Sequence, residues 1–186
     1  MKKSGYIVGE FRGDIVGTHT HINPYKSAEF DNQIDDIFKR HGASDFKRLI
    51  ISEKTPQLLI DLGLDGANVV VNKSVITRHI TKYEHLESAE EWIALSNNLD
   101  KPIAFKVMQN GTIRVYYKSR KKRPIVVVIK KQQTGRFSYS NIIITAFYRT
   151  KDYQKELESG QITKINQPSV RRHQLPSVLS SSVGSK

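Results

Sequence analysis

Four segments rich in β-branched and aromatic residues follow one another between residues 102 and 149, and they constrain the fold more than any other part of the chain. They read PIAFKVMQ, TIRVYYKS, PIVVVIKK and NIIITAFYR. The dipeptide Asn110–Gly111 separates the first two, and this pair favours the tight turn of a β-hairpin. The pattern therefore predicts four consecutive antiparallel strands that form a meander.

Helical patterns precede these strands. The stretch SAEFDNQIDDIFKRHG carries apolar residues at helical spacing, with Ser27 as its N-cap and Gly42 just past its end. In SAEEWIALSNNL, Ser88 and Glu91 form a capping-box pattern. The predicted fold class is α+β, with N-terminal helices packed on a four-stranded antiparallel meander sheet and a flexible C-terminal tail.

Three regions follow from these patterns. Residues 1–50 form an N-terminal strand and helix extension, in which 6–16 reads as a strand or small hairpin. Residues 51–155 form the central domain. Residues 156–186 are predicted to be a flexible tail, because their last part is rich in Ser and Pro and poor in aromatic residues.

Positive charge is concentrated in the predicted sheet. The chain has 30 Lys and Arg against 18 Asp and Glu, and between Lys101 and Lys151 basic residues occur without a single acidic one. Lysines that protect strand edges from aggregation explain part of this excess but not the absence of acids. The distribution favours a nucleic-acid partner over an anionic membrane surface. The predicted nucleic-acid-binding residues are Lys118, Arg120, Lys121, Lys122, Arg123, Lys130, Lys131 and Arg136.

Several classes of protein are disfavoured. The chain has no cysteine, which excludes disulfides and thiolate sites. It shows no signal-peptide pattern and no apolar run long enough to span a bilayer, so we expect it to act in a cytoplasm, including that of a cell into which it is delivered. His19 and His21 share a strand face without a third ligand, and nucleotide-binding and hydrolase motifs are absent. We therefore predict no metal and no cofactor.

Two stretches carry candidate chemistry. In ITRHITKYEH, residues 76–85, a helical wheel puts His79 and Lys82 at the border of an apolar stripe, and His85 joins them if the helix ends early. In the last strand, alternation puts Thr145 and Arg149 on one face and Tyr148 on the other. A histidine without any functional role is the competing interpretation for both histidines.

The order of these blocks resembles a known family. The stretch TPQLLIDLGLDGANVVVNKSVITRHITKYEH, a Trp-containing helix, and then KPIAFKV, IRVYYKS, RPIVVVIKK and IIITAFYRT are similar to the phage-borne nuclease domains of the barnase–EndoU–colicin–RelE-like fold. The resemblance covers about residues 52–152. The family's Lys/Arg–His pair has two candidates here, Arg78–His79 and Glu84–His85, so either histidine can correspond to it.

The resemblance implies a metal-independent endoribonuclease, in which the 2′-hydroxyl of RNA attacks the phosphate and leaves a cyclic phosphate. It assigns general acid or base catalysis to His79, with His85 as its rival or partner. Lys82 and Arg149 would stabilise charge, and Thr145 and Tyr148 would bind the phosphate or orient the sugar. An acidic immunity or antitoxin protein is a further candidate partner. The alternatives are a non-catalytic RNA- or DNA-binding module and a phage protein whose basic sheet docks on a host protein.

Overall fold

A computed structural model of the protein describes residues 21–80, 85–136, 138–149 and 152–166. Its helices are α1 (Phe30–Lys39), α2 (Gln57–Asp61), α3 (Lys73–Ile80), α4 (Ala89–Asn97) and α5 (Tyr153–Glu158). Its strands are β1 (Arg48–Ser52), β2 (Val69–Asn72), β3 (Ala104–Val107), β4 (Ile113–Tyr117), β5 (Ile125–Gln133), β6 (Tyr139–Tyr148) and β7 (Thr163–Lys164). The hairpin predicted at residues 6–16 and the tail beyond residue 166 lie outside the described residues.

The strands form one seven-stranded mixed sheet in the order β1-β2-β6-β5-β4-β3-β7. The α+β class is confirmed, but the prediction of a four-stranded antiparallel sheet is wrong. The four predicted segments do form adjacent antiparallel strands, β3 to β6, and β2 then adds to β6 in parallel. Residue patterns identify a buried strand such as VVVN, but they do not identify the strand with which it pairs.

One side of the sheet, which we call the helical face, carries the main core. Val71, Val127 and Ile143 are fully buried there. The apolar stripe of α1 contributes Phe30 and Ile34 to the same core, and both are fully buried. Helix α1 is therefore held mainly by burial of one side, as expected for an amphipathic helix on a sheet.

The other side of the sheet, which we call the opposite face, is covered at one end by α5 and by the residues that follow α5. Tyr116 and Val126 are buried there beneath Ile162, with Leu157 of α5 packed against them. The prediction that helices precede the sheet and pack on it is therefore incomplete, because α5 follows β6. Residues 156–166, predicted as the start of the tail, form the end of α5 and strand β7, which pairs with β3.

A buried amide connects β6 to the segment before β2. The Asn141 side chain is fully buried, and its Nδ2 donates to Thr55 Oγ1 at 2.6 Å and to the Asp65 carbonyl at 2.8 Å. Its Oδ1 accepts from the Asp65 N–H at 3.2 Å. Since buried polar groups must be hydrogen-bonded, this residue fixes where β2 can lie beside β6.

The predicted N-cap of α4 at Ser88 is confirmed. The Glu91 N–H donates to Ser88 Oγ at 3.2 Å, and Glu91 Oε2 accepts from the Glu87 N–H at 2.7 Å. The carboxylate of Glu91 is thereby directed to the start of α4, next to the end of β6. In the part of the chain that the structure describes, no helix is long and apolar enough to cross a membrane.

Candidate nucleic-acid interface

Four strands place one residue each in a row on the opposite face. The pairs Lys106–Arg114, Arg114–Val128 and Val128–Thr145 are directly opposed in neighbouring antiparallel strands. Directly opposed residues point to the same side of a sheet, and strands lie about 4.8 Å apart, so the row is about 14 Å long. We call these four residues the basic row. They include two cationic side chains, Lys106 and Arg114, and the hydroxyl of Thr145.

His85 lies next to the end of β6 that follows Thr145. Strand β2 pairs only with residues 141–143 of β6, so this side of the later part of β6 is free for another segment. There His85 forms an antiparallel bridge with Phe147, and the centres of the two rings are 6.1 Å apart. Phe147 is two residues from Thr145, which corresponds to about 7 Å along a strand. His85 and Thr145 are therefore diagonal neighbours on one face.

The basic row is accessible to a ligand. All four of its residues are only partly buried, unlike the Tyr116 and Val126 end of the same face, which α5 covers. The strands that the structure describes contain no Asp or Glu. The strands therefore bring no carboxylate beside Lys106 and Arg114, which favours a positive potential over the basic row.

Arg149 also belongs to the opposite face, but it is engaged in structure. Its Nε donates to Glu156 Oε2 at 3.0 Å and its Nη2 donates to the other carboxylate oxygen. Both side chains are 13% exposed, and the hydrogen bonds to Glu156 raise the pKa of Arg149 further. The pair docks α5 on the sheet, so the predicted charge-stabilising role of Arg149 would require this ion pair to open.

Tyr148 points to the helical face, away from Thr145 and Arg149, as the strand alternation predicts. Its hydroxyl donates to Glu91 Oε1 at 2.6 Å, and Lys121 Nζ lies 3.0 Å from the same oxygen and 4.0 Å from the centre of the Tyr148 ring. Burial, then the Glu91 carboxylate, raise the pKa of Tyr148. Burial alone would raise the pKa of Glu91, but the hydrogen bonds from Tyr148 and Lys121 outweigh it and lower that pKa.

The other two predicted catalytic residues fall at the edge of what the structure describes. His79 belongs to α3, of which Ile76 is fully buried in the main core. The structure describes the backbone of His79 but not its side chain, and Lys82 lies outside the described residues. Their predicted roles stay predictions.

The predicted nucleic-acid-binding residues fall into two groups. Lys118, Arg120, Lys121, Lys122 and Arg123 lie in the loop that connects β4 to β5, whereas Lys130, Lys131 and Arg136 lie at the far end of β5 and in the next turn. Strand β5 has nine residues, so its ends are about 26 Å apart. Lys131 forms a 3.0 Å ion pair with Asp65 and lies 4.4 Å from the ring centre of Tyr139, while Lys130 is exposed on the opposite face.

Arg114 and Lys106 were missed as site residues. Arg114 stands between Ile113 and Val115, both buried in the helical-face core. A cation between two core residues in the middle of a strand must point to the other face of the sheet. This alternation in the sequence could have identified Arg114 as a site residue. Glu91 was also missed, because the sequence showed only its capping role.

Comparisons with protein families, with curated proteins and with solved structures gave no match for this chain.

Proposed function

We propose that the protein binds single-stranded RNA on the opposite face and cleaves it without a metal, by attack of the 2′-hydroxyl on the adjacent phosphate. The observation that carries this proposal is the register of β3 to β6, in which Thr145 shares a row with Arg114 and is a diagonal neighbour of His85 on the same face of the sheet. The resemblance to barnase-like nuclease domains supplies the reaction type, and these residues supply groups suited to it.

His85 acts as the general base in this reaction. As O2′ forms a bond to phosphorus, His85 accepts the proton of the 2′-hydroxyl. The bond between phosphorus and O5′ breaks, and the leaving O5′ takes a proton from water, which yields a 2′,3′-cyclic phosphate and a free 5′-hydroxyl. A neutral imidazole nitrogen can accept a proton, and histidine is the side chain that most often serves as a general base. General base catalysis of this kind contributes about 10²- to 10⁴-fold in rate.

The basic row stabilises the negative charge that develops on the phosphate during the reaction. Arg114 is two strands from Thr145, about 10 Å between backbones, and its long side chain can reach a phosphate placed over Val128. A guanidinium binds two phosphate oxygens at once, and the Thr145 hydroxyl can donate to a third position. Loss of one such donor costs about 10²- to 10³-fold in rate where it acts on the transition state.

The absence of Asp and Glu from the described strands also favours a second candidate, an RNA-binding module that does not cleave. Both candidates require salt-sensitive binding, because Lys106 and Arg114 would displace counterions from the phosphates. They differ in product formation. An acidic inhibitor protein could cover the basic row under either candidate function.

The experiment is incubation of end-labelled single-stranded RNA with the protein in EDTA, with Arg114→Gln as the test variant. The matched control is Arg40→Gln, because Arg40 is an exposed arginine at the end of α1 whose ion pair with Asp36 spans one helical turn. We expect cyclic-phosphate products from the wild type and Arg40→Gln, and at least tenfold slower cleavage by Arg114→Gln. Salt-sensitive binding without product would leave only the binding module, and equal cleavage by both variants would remove Arg114 from the site.

A further inference from the structure

A second concave site lies on the helical face, on the other side of the sheet from the basic row. It is a cleft of about 860 Å³ between α4 and the loop that connects β4 to β5. Clefts of about 300 to 1,000 Å³ are the size that holds a small ligand. No part of the nuclease proposal uses this cleft.

The rim of the cleft is cationic. Lys101, Lys118, Arg120 and Lys121 line it, against the two carboxylates of Glu90 and Glu91. Lys101, Lys118 and Arg120 are exposed and can turn toward a ligand. The excess of two positive charges matches a phosphate monoester, which carries between one and two negative charges at pH 7.

The floor of the cleft is apolar and its geometry is fixed by two tyrosines. Tyr117 and Tyr148 are both paired with Ile125, one from each side, so they stand on the same face two strands apart, about 10 Å. The hydroxyl of Tyr117 donates to the Leu99 carbonyl at 3.0 Å, and that of Tyr148 donates to Glu91 at 2.6 Å. The two hydrogen bonds hold the start of α4 and the segment just after α4 against the sheet. The cleft therefore exists before a ligand binds.

The cationic loop is also ordered before binding. The Ser119 hydroxyl lies 2.9 Å from the Lys121 carbonyl and within hydrogen-bond distance of the Arg123 carbonyl, which turns the loop back on itself. Lys121 then reaches over Tyr148 to Glu91. Lys122, the next residue, is exposed and does not line the cleft.

We propose that this cleft binds a nucleoside phosphate, either free or as the terminal nucleotide of an RNA strand. The apolar floor formed by Leu95, Ile103 and Ile125 suits a base or ribose ring, and the cations of the rim suit the phosphate. Glu91 stays ionised at neutral pH, since its pKa is lowered, and its carboxylate accepts hydrogen bonds from ribose hydroxyl groups. The phosphate competes with Glu91 for Lys121, so that Lys121 passes from the carboxylate to the ligand.

The test is isothermal titration of the full-length protein with each of the four ribonucleoside 5′-monophosphates, with the corresponding nucleosides and with inorganic phosphate. The test variant is Lys118→Gln/Arg120→Gln, and the matched control is Lys39→Gln/Arg40→Gln, which removes two exposed charges at the end of α1, outside the cleft. We expect saturable binding of at least one monophosphate with a one-to-one stoichiometry. We expect the test variant to bind it at least tenfold more weakly, with Lys39→Gln/Arg40→Gln within twofold of the wild type.

Three results would overturn the proposal: no saturable binding of any monophosphate, an equal loss in Lys39→Gln/Arg40→Gln, or inorganic phosphate bound as tightly as the nucleotides. A 5′-phosphorylated oligonucleotide distinguishes the two sources of the ligand, because a terminal nucleotide would bind with the same dependence on Arg120. The readout is binding and not RNA cleavage, so its failure is separate from failure of the nuclease proposal, whose variants lie on the other face.

Discussion

His85 faces Phe147 across the end of β6, with 6.1 Å between the centres of their rings. The bridge between their backbones occupies the side of β6 that β2 leaves after residue 143. It directs His85 to the opposite face, whereas the next residue, Leu86, is fully buried in the main core. A buried neighbour therefore fixes the orientation of the residue to which we assign proton transfer.

RNA affinity is expected to depend on salt through the basic row. Each phosphate contact removed from a single-stranded ligand lowers the slope of log K against log salt concentration by about 0.7. Lys106→Gln should therefore show a shallower slope by about that amount, measured by fluorescence anisotropy between low and moderate salt. The matched control is Lys39→Gln, whose side chain is 78% exposed on α1. An equal change in both variants would show that overall charge, and not the basic row, governs binding.

The hydrogen bond from Tyr148 to Glu91 should stabilise the fold in a pH-dependent way. Tyr148→Phe removes a donor to a charged acceptor, which costs about 1.5 to 3 kcal/mol of unfolding free energy at pH 7. Because the pKa of Glu91 is lowered by folding, its stabilisation is present above the unfolded-state pKa and is lost as pH falls through the folded-state pKa. The cost of Tyr148→Phe in urea unfolding should therefore shrink in acid.

The control for this measurement is Tyr139→Phe, because Tyr139 is 39% exposed. It should change the unfolding free energy by less than about 0.5 kcal/mol at any pH, as is usual for surface substitutions. A cost of Tyr148→Phe that stays constant down to low pH would contradict the role given to Glu91.

Local and non-local features of this chain differ in how far they can be predicted. The cap between Ser88 and Glu91 and the alternation of Thr145 with Tyr148 depend on residues a few positions apart, and both were predicted. The parallel pairing of β2 with β6 depends on the contact of Asn141 with Asp65, which are 76 positions apart. No local pattern contains that information, so the sheet was predicted with too few strands.

The candidate site was also predicted only in part, because its geometry depends on contacts between residues far apart in the sequence. Thr145 and His85 were predicted as site residues from the family resemblance, and their placement on one face depends on the backbone bridge to Phe147, which the sequence does not show. Arg149 was predicted to stabilise charge because it ends the last strand. Its partner Glu156 lies within the region predicted as a flexible tail, so the ion pair could not be predicted.

Asn141 should contribute strongly to stability. Asn141→Ala removes a buried amide and its three hydrogen bonds to Thr55 and Asp65, and we expect a loss of about 2 to 4 kcal/mol in unfolding free energy. The measurement is chemical denaturation followed by circular dichroism, with Asn32→Ala on the exposed side of α1 as control. A loss below about 1 kcal/mol, within the range of an ordinary substitution, would mean that this amide does not hold β6 to the segment before β2.

The ion pair between Arg149 and Glu156 should hold α5 to the sheet. Glu156→Gln leaves a nearly buried guanidinium without its charge partner, and we expect a loss of about 2 to 3 kcal/mol, because removing one partner of a buried pair is costly. Limited proteolysis should then cut near α5 faster than in the wild type. Asp36→Asn, which breaks the exposed pair with Arg40, should cost less than about 0.5 kcal/mol. Equal effects of the two variants would show that α5 is held by apolar contacts instead.

The most direct test of the account is RNA cleavage in EDTA by His85→Asn, with His41→Asn as its control. His41 is an exposed histidine with φ 49°, a conformation that Asn tolerates, so the control variant should fold normally. We expect His41→Asn to cleave at the wild-type rate and His85→Asn to cleave at least 100-fold more slowly while it still binds RNA. Cleavage by His85→Asn at the wild-type rate would contradict the assignment of proton transfer to His85.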